Sequence, residues 1–129
     1  MQAHDDLIDS PLFKAAAELS FDSIMVTRAT DTQGQSEIVY VNDRFTDLTG
    51  YQAEEVIGRT PGLLQGPETD ASVTERLAED VRNGRTFHGQ TVNYRKDGTA
   101  FDIEWKVTPV VNDGQVTHYL AVQRDVSAR

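Results

Sequence analysis

The sequence holds no cysteine, three histidines and one tryptophan, and this short inventory bounds the chemistry open to it. Without a thiol there is no disulfide, thiolate metal site, cysteine nucleophile or thiol adduct with a cofactor. His4, His88 and His118 stand at no ligand spacing from one another or from a carboxylate cluster, so no metal site is expected. No serine occupies a Gly-x-Ser-x-Gly elbow, and neither a phosphate loop nor a GxGxxG turn occurs. The acidic pairs Asp5-Asp6, Glu54-Glu55 and Glu79-Asp80 read as solvated faces. Catalysis is not expected; what remains is binding chemistry. Asn93 and Gln123 fall in alternating segments whose period of two puts Thr91 with Asn93, and Tyr119 and Ala121 with Gln123. Both amides then point to one concave surface. A buried amide needs partners. These are either one another, water or loop backbone, or the polar edge of a small ligand. Trp105 is either core filling or a surface on which a planar ring stacks.

The elements that carry these residues can be read along the chain. Residues 1–10 form a polar leader, and Ser10-Pro11 opens a helix, Ser as cap and Pro at the first position. Leu12, Phe13, Ala16 and Leu19 are expected to share its packed face. Ser23–Arg28 and Glu37–Asn42 are β-branched strands joined by a long Thr/Asp/Gly/Gln-rich loop. Short helices follow at Asp43–Thr49, stopped by Gly50, and at Gln52–Ile57, with Arg59–Pro67 read as loop. Asp70 caps a longer helix to about Arg82, with Val73, Leu77 and Val81 on one stripe. Thr86–Tyr94, Ala100–Val111 and Val116–Asp125 are strands joined by Asp-Gly turns, a strong hairpin signal. The fold class is therefore α+β: a five-stranded antiparallel sheet with short helices on one face and an N-terminal cap helix.

At 129 residues the chain fits one domain. Its net charge of −9 argues against a nucleic-acid groove or an anionic membrane surface. No signal peptide or membrane-length apolar run occurs, which fits a cytoplasmic location.

Five segments, in order, resemble the PAS family of sensory domains. They are Val41-Asn42-Asp43-Arg44-Phe45, Leu48-Thr49-Gly50-Tyr51, Glu54-Glu55-Val56-Ile57-Gly58, Asn93-Tyr94-Arg95-Lys96-Asp97-Gly98 and Gln123-Arg124-Asp125-Val126-Ser127. The resemblance implies a leader and cap helix over 1–19, the PAS domain over 20–127, and at 128–129 the start of a linker. The closing Asp125-Val126-Ser127 resembles the terminus from which such domains pass to a C-terminal output domain, so the chain is expected to be a fragment. A diguanylate cyclase or a histidine kinase is the output that the family implies, and a homodimer the expected assembly.

Leu64-Gln65-Gly66-Pro67-Glu68-Thr69-Asp70 with Asn93-Tyr94-Arg95-Lys96 further resembles the flavin-binding LOV branch. That branch carries a G-x-N-C-R-F-L-Q-G motif whose cysteine bonds the flavin in light. Here the segment reads Gly58-Arg59-Thr60-Pro61-Gly62-Leu63-Leu64-Gln65-Gly66. Pro61 stands in the cysteine's place, so no adduct can form; a proline there also resembles the redox-sensing, FAD-binding and generic PAS branches. Gly62 and Ala78 replace the two phosphate-binding arginines, Ile103 a second ring-binding asparagine, and Trp105 an aromatic at the flavin's base. Two lost charge-assisted contacts cost about 3–6 kcal/mol, on the order of 10²–10⁴ in FMN affinity. Riboflavin or FAD would suffer less. The implied ligand set is Gln65, Asn93, Gln123, Trp105 and Thr27, for a flavin or another small ligand. Haem-binding relatives use a histidine on the long helix, and Asp70–Asn83 contains none. The rival expectation is a ligand-free dimerisation module with Ile103 and Trp105 filling the core.

Overall fold

The protein is described here by a computed structural model covering residues 6–29 and 36–127. His4, most of the loop joining the first two strands, and the linker start at 128–129 lie outside the described residues. Strands β1 (Ser23–Ala29), β2 (Ser36–Val41), β3 (Phe87–Tyr94), β4 (Ala100–Asn112) and β5 (Gln115–Asp125) form one five-stranded sheet in the order β2-β1-β5-β4-β3. Every pairing is antiparallel. Asp113 and Gly114 both take positive φ, 51° and 78°. That is the mirror-image turn whose twist suits a tight β4–β5 hairpin, and it explains the Asp-Gly signal.

On β4 the alternation holds: Phe101, Ile103, Trp105 and Val107 are buried, whereas Asp102 and Lys106 are exposed. Cross-strand register carries this inner face across the sheet, Trp105 opposite Gly89 and Gln123, and Gln123 opposite Ser23. Helices α3 (Asp43–Thr49), α4 (Ala53–Val56) and α5 (Ala71–Arg82) connect β2 to β3. Phe45, Val56 and Leu64 join Ile38, Phe87 and Ile103 in the core. The expected loop over Arg59–Pro67 contains a 3-10 turn at Pro61–Leu64. Pro61 opens it with a preset φ, and Leu64 is drawn into the core.

Two helices precede the sheet, α1 (Asp6–Asp9) and α2 (Pro11–Leu19), so residues 6–9 of the polar leader are helical. Ser10 caps α2 by accepting from Phe13 N at 3.3 Å. The expected packed face is wrong in rotation: Leu12 and Leu19 are each 81% exposed, and Ala17 is buried. Phe13 and Ala17, four apart, form the inward face. Phe13 meets the Tyr40 ring edge-on at 5.1 Å, and Asn42 Nδ2 donates to Ala17 O at 2.7 Å. Since Tyr40 pairs with Val26, α2 caps the outer face at the β1–β2 edge.

Asn42 is a second correction. It is no strand residue but the cap of α3, and it is almost fully buried. Its Oδ1 accepts from Ile24 N and Phe45 N, and its Nδ2 reaches Ala17 O and Asp22 O. Within the acidic pairs, Glu55 and Asp80 make surface ion pairs. Glu55 pairs with Lys96, and the hydrogen bonds from Lys96 and the Gln52 backbone hold its carboxyl below the ordinary range. Asp80 pairs with Arg85 at 3.1 Å and Arg76 at 4.0 Å.

Candidate functional site

Helix α5 has the amphipathic stripe its sequence predicts, yet none of its side chains is fully buried. A helix with an apolar face normally sinks that face into a core. Here Val73, Leu77 and Val81 pack against the core while only partly buried, and Leu77, Ala78 and Val81 also wall a cavity of about 620 Å³ between α5, the 3-10 turn and the inner sheet face. That volume lies within the range of small-molecule pockets, roughly 300–1,000 Å³. Met25, Val107 and Ala121 supply its apolar sheet wall; Thr27, Thr60, Gln65, Thr74 and Tyr119 supply polar atoms. Trp105 lines the same wall and packs on Phe87 with ring centroids 4.9 Å apart. Its indole therefore has one side fixed by Phe87 and an edge or face open to the cavity.

Of the five residues singled out in the sequence, Thr27, Gln65 and Trp105 line this cavity, and Asn93 and Gln123 do not. Gln123 is buried, and its Oε1 accepts from Ser23 Oγ at 2.9 Å. A strand side chain thus meets this amide, a partner that single-strand alternation could not name because it depends on the β1–β5 register. Asn93 is buried on the same sheet face, opposite Phe101, and its amide makes no hydrogen bond among the described residues. Ile103 is fully buried core.

The segment carrying Gln65 is clamped to β3. Thr69 Oγ1 accepts from Gly66 N at 3.0 Å and donates to Val92 O at 2.6 Å. Tyr94 Oη accepts from Glu68 N at 3.0 Å. Gly66 must be glycine, because a Cβ there would lie 2.3 Å from the Tyr94 ring. Beyond the cavity, Arg95 joins α3 to the end of β5. It donates to Leu48 O at 2.6 Å and Asp125 Oδ2 at 2.7 Å, and its guanidinium lies 4.4 Å above the Phe101 ring centre. Burial works against the Asp125 carboxylate, but hydrogen bonds from Ser127 and Arg95 outweigh it and hold the carboxyl below its ordinary value.

The donors present suit the polar edge of a planar ring: an amide and hydroxyls on one side, an indole and aliphatic walls on the other. Neither His88 nor His118 lines the cavity. His88 instead meets Glu104 across β3 and β4 at 2.7 Å. Among the described residues no His, Cys, Asp or Glu cluster is placed to hold a metal ion. No helix among them is long and apolar enough to cross a membrane.

A single antiparallel sheet closed over a ligand-sized cavity by short helices defines the class, a sensory module of signalling proteins. The family is equally definite: residues 22–128 match the PAS domain family, and the chain belongs to it. It is 37% identical over 128 residues to phototropin-2 of rice, covering 97% of this chain and 14% of that protein. The LOV domain of a flavin-analogue structure superposes with a TM-score of 0.83 at 32% identity, over 95% of this chain and 89% of that one. The LOV domain of a blue-light-activated histidine kinase from Erythrobacter litoralis superposes at 0.77 with 29% identity, over 84% and 98% of the two chains. The chain spans 14% of phototropin-2 and 43% of a blue-light photoreceptor of Listeria monocytogenes to which it is 31% identical, less than half the length of either. The LOV-like resemblance and the five-stranded fold are thereby both established.

Proposed function

We propose that this domain senses a small planar ligand, a flavin being the foremost candidate, without forming a covalent adduct. The observation that carries the proposal is the cavity: Val73, Leu77 and Val81 of α5 pack against the core, yet room remains above Trp105, Thr27 and Gln65. The flavin named in a structural neighbour supports the choice of ring. A flavin, when bound, supplies redox- or light-dependent changes in charge and hydrogen bonding. The chain's part is to hold the ring between α5 and the sheet, present the Gln65 amide to its polar edge and exclude water with the Met25, Val107 and Ala121 wall. Pro61 has no thiol to offer, so any response is non-covalent.

Transmission follows from what the cavity walls touch. Trp105 and Ala121 sit on β4 and β5, and β5 ends at Asp125, which Arg95 ties to the last turn of α3. A ligand that favours one packing of α5 on the sheet shifts the population of geometries at this exit. The output domain on the C-terminal side is a histidine kinase or a diguanylate cyclase; the kinase among the structural neighbours favours the former. The working unit is a homodimer in the cytoplasm, with no nucleic-acid partner. Leu12 and Leu19, each 81% exposed, and Phe21, 99% exposed, provide its apolar contact.

These same exposed side chains, with Ile103 buried where the family has a ring-binding asparagine, favour a second reading: a ligand-free dimerisation module. Titration of the purified protein with riboflavin, followed through Trp105 emission, separates the two. Saturable quenching supports the sensor. Unchanged emission at every concentration, from folded protein, supports the dimerisation module.

A further inference from the structure

We infer that Arg76 is a positioning residue for the cavity, acting through Phe87 to fix the angle at which Trp105 meets a bound ring; the inference rests on the ring-binding reading above. A tryptophan on a strand turns about its side-chain bonds unless its neighbours hold it. Trp105 lines the cavity from β4 and packs on Phe87 of β3, ring centroids 4.9 Å apart and planes inclined at 58°. Aromatic pairs favour such tilted geometries, so the indole follows the phenyl ring. The phenyl ring is itself held. Gly89, two residues on along β3 and paired across the strands with Trp105, leaves the space it leans into. A Cβ at Gly89 would lie 2.5 Å from Phe87 Cζ and 2.9 Å from Arg76 Nη2. Arg76 closes over this place from α5: its Cζ lies 4.8 Å from the Phe87 ring centre, while Nη1 donates to His88 O at 3.0 Å. A planar guanidinium stacks on a ring and donates to a backbone carbonyl at the same time, a pairing that a point-like ammonium reproduces only in part. The next two residues of α5, Leu77 and Ala78, wall the cavity from the helix side. One side chain, 49% exposed, therefore sets both the seat of α5 on β3 and the tilt of the indole across the cavity from it.

A structural explanation competes. Arg76 approaches Asp80 at 4.0 Å, one turn along α5, and such a pair supports a helix without reference to any ring. The two roles differ in what they do to Trp105, the one tryptophan of the chain, whose near-ultraviolet circular dichroism reports how firmly its ring is held. The test compares Arg76→Gln, Arg76→Lys, Gly89→Ala and Asp80→Asn with the unaltered protein, by that signal and by riboflavin titration, with far-ultraviolet circular dichroism as the check on folding. Arg76→Gln should diminish the tryptophan bands and weaken riboflavin about tenfold, and Arg76→Lys should recover part of both. Gly89→Ala crowds the ring and the guanidinium while keeping every charge, and should diminish the same bands. Asp80→Asn removes the carboxylate that Arg76 shares with Arg85 and should change neither reading. Folded Arg76→Gln protein with undiminished tryptophan bands overturns the positioning role, as does an Asp80→Asn protein that reproduces the Arg76→Gln losses. Diminished bands with unchanged riboflavin affinity overturn it too, and leave the ring reading standing. If the unaltered protein does not bind riboflavin, the ring reading fails, and this inference fails with it.

Discussion

Replacing Asn42 with alanine should destabilise the domain by about 2–4 kcal/mol, from the loss of a helix cap and the orphaning of a buried N–H. Asn42 is 1% exposed. Its Oδ1 accepts from Ile24 N at 2.9 Å and Phe45 N at 3.1 Å; its Nδ2 donates to Ala17 O at 2.7 Å and Asp22 O at 3.1 Å. Phe45 N keeps the Asn42 carbonyl at 3.1 Å, and Ala17 O keeps Ser20 N at 3.3 Å. Those two groups therefore add little. Losing the cap costs about 1 kcal/mol, and Ile24 N, left without its side-chain acceptor, about 1–3 kcal/mol. Urea titration should show the midpoint fall with an unchanged slope, the mark of lost stability in an unaltered fold. The damage should also be local. Among the described residues the Asn42 side chain joins α2 to both β1 and α3, with Glu18 adding a second α2–α3 tie through Asp43 N, so proteolysis should cut first near the fully exposed Phe21. Asn42→Asp separates the two halves of the amide, because it keeps the oxygen that accepts two bonds and loses the NH2 that donates two. Its helix α3 should hold while α2 is loosened, kept on the sheet only by Glu18 and the Phe13–Tyr40 contact. A loss under about 1 kcal/mol for Asn42→Ala, the level of an ordinary substitution, would refute the hub assignment.

Three further outcomes are expected. Gly66→Ala puts a Cβ 2.3 Å from the Tyr94 ring; overpacking of this kind costs about 1–3 kcal/mol. Thermal melting should register it, and ligand affinity should fall as the Gln65 segment shifts. Ala78→Leu extends a side chain from α5 into the cavity; ligand binding should be lost while stability stays within about 0.5 kcal/mol, as for other surface changes. A large loss of stability there would mean that the space is already filled. The Asp125 carboxyl is held below its ordinary value of 3.8, so its stabilisation is complete above that value and lost as pH falls through the lower folded value. Urea midpoints measured against pH should show that acid limb, and Asp125→Asn should flatten it.

The β-meander was legible because its signals are local. Asp-Gly turns fix the hairpins, and the period-two pattern of β4 names its buried face without knowledge of any partner. Helices α3 and α5 were legible from their caps, Gly50 and Asp70 among them. What failed depended on tertiary contacts. The rotation of α2 is set by Asn42 reaching Ala17 O, a contact across 25 residues, and no apolar periodicity in nine residues can fix it. Asn42 itself could have been caught, since an asparagine directly before a helix is the usual cap. The strand pattern Glu-Ile-Val-Tyr-Val-Asn masked it. Of the candidate site, Trp105, Gln65 and Thr27 were placed together through resemblance and alternation. The Ser23 partner of Gln123 needs the β1–β5 register, which no local pattern encodes.

The central claim is that the space under α5 holds a planar ligand. It is tested most directly by the visible absorbance of the protein purified after lysis in excess riboflavin and FMN, followed by acid release and mass analysis of what co-elutes. The account predicts a structured blue-absorbing band that travels with the folded protein, and an intact flavin on release, since no thiol is present to bond it. A colourless, folded protein that releases no small molecule would contradict the account and leave the domain as a dimerisation module.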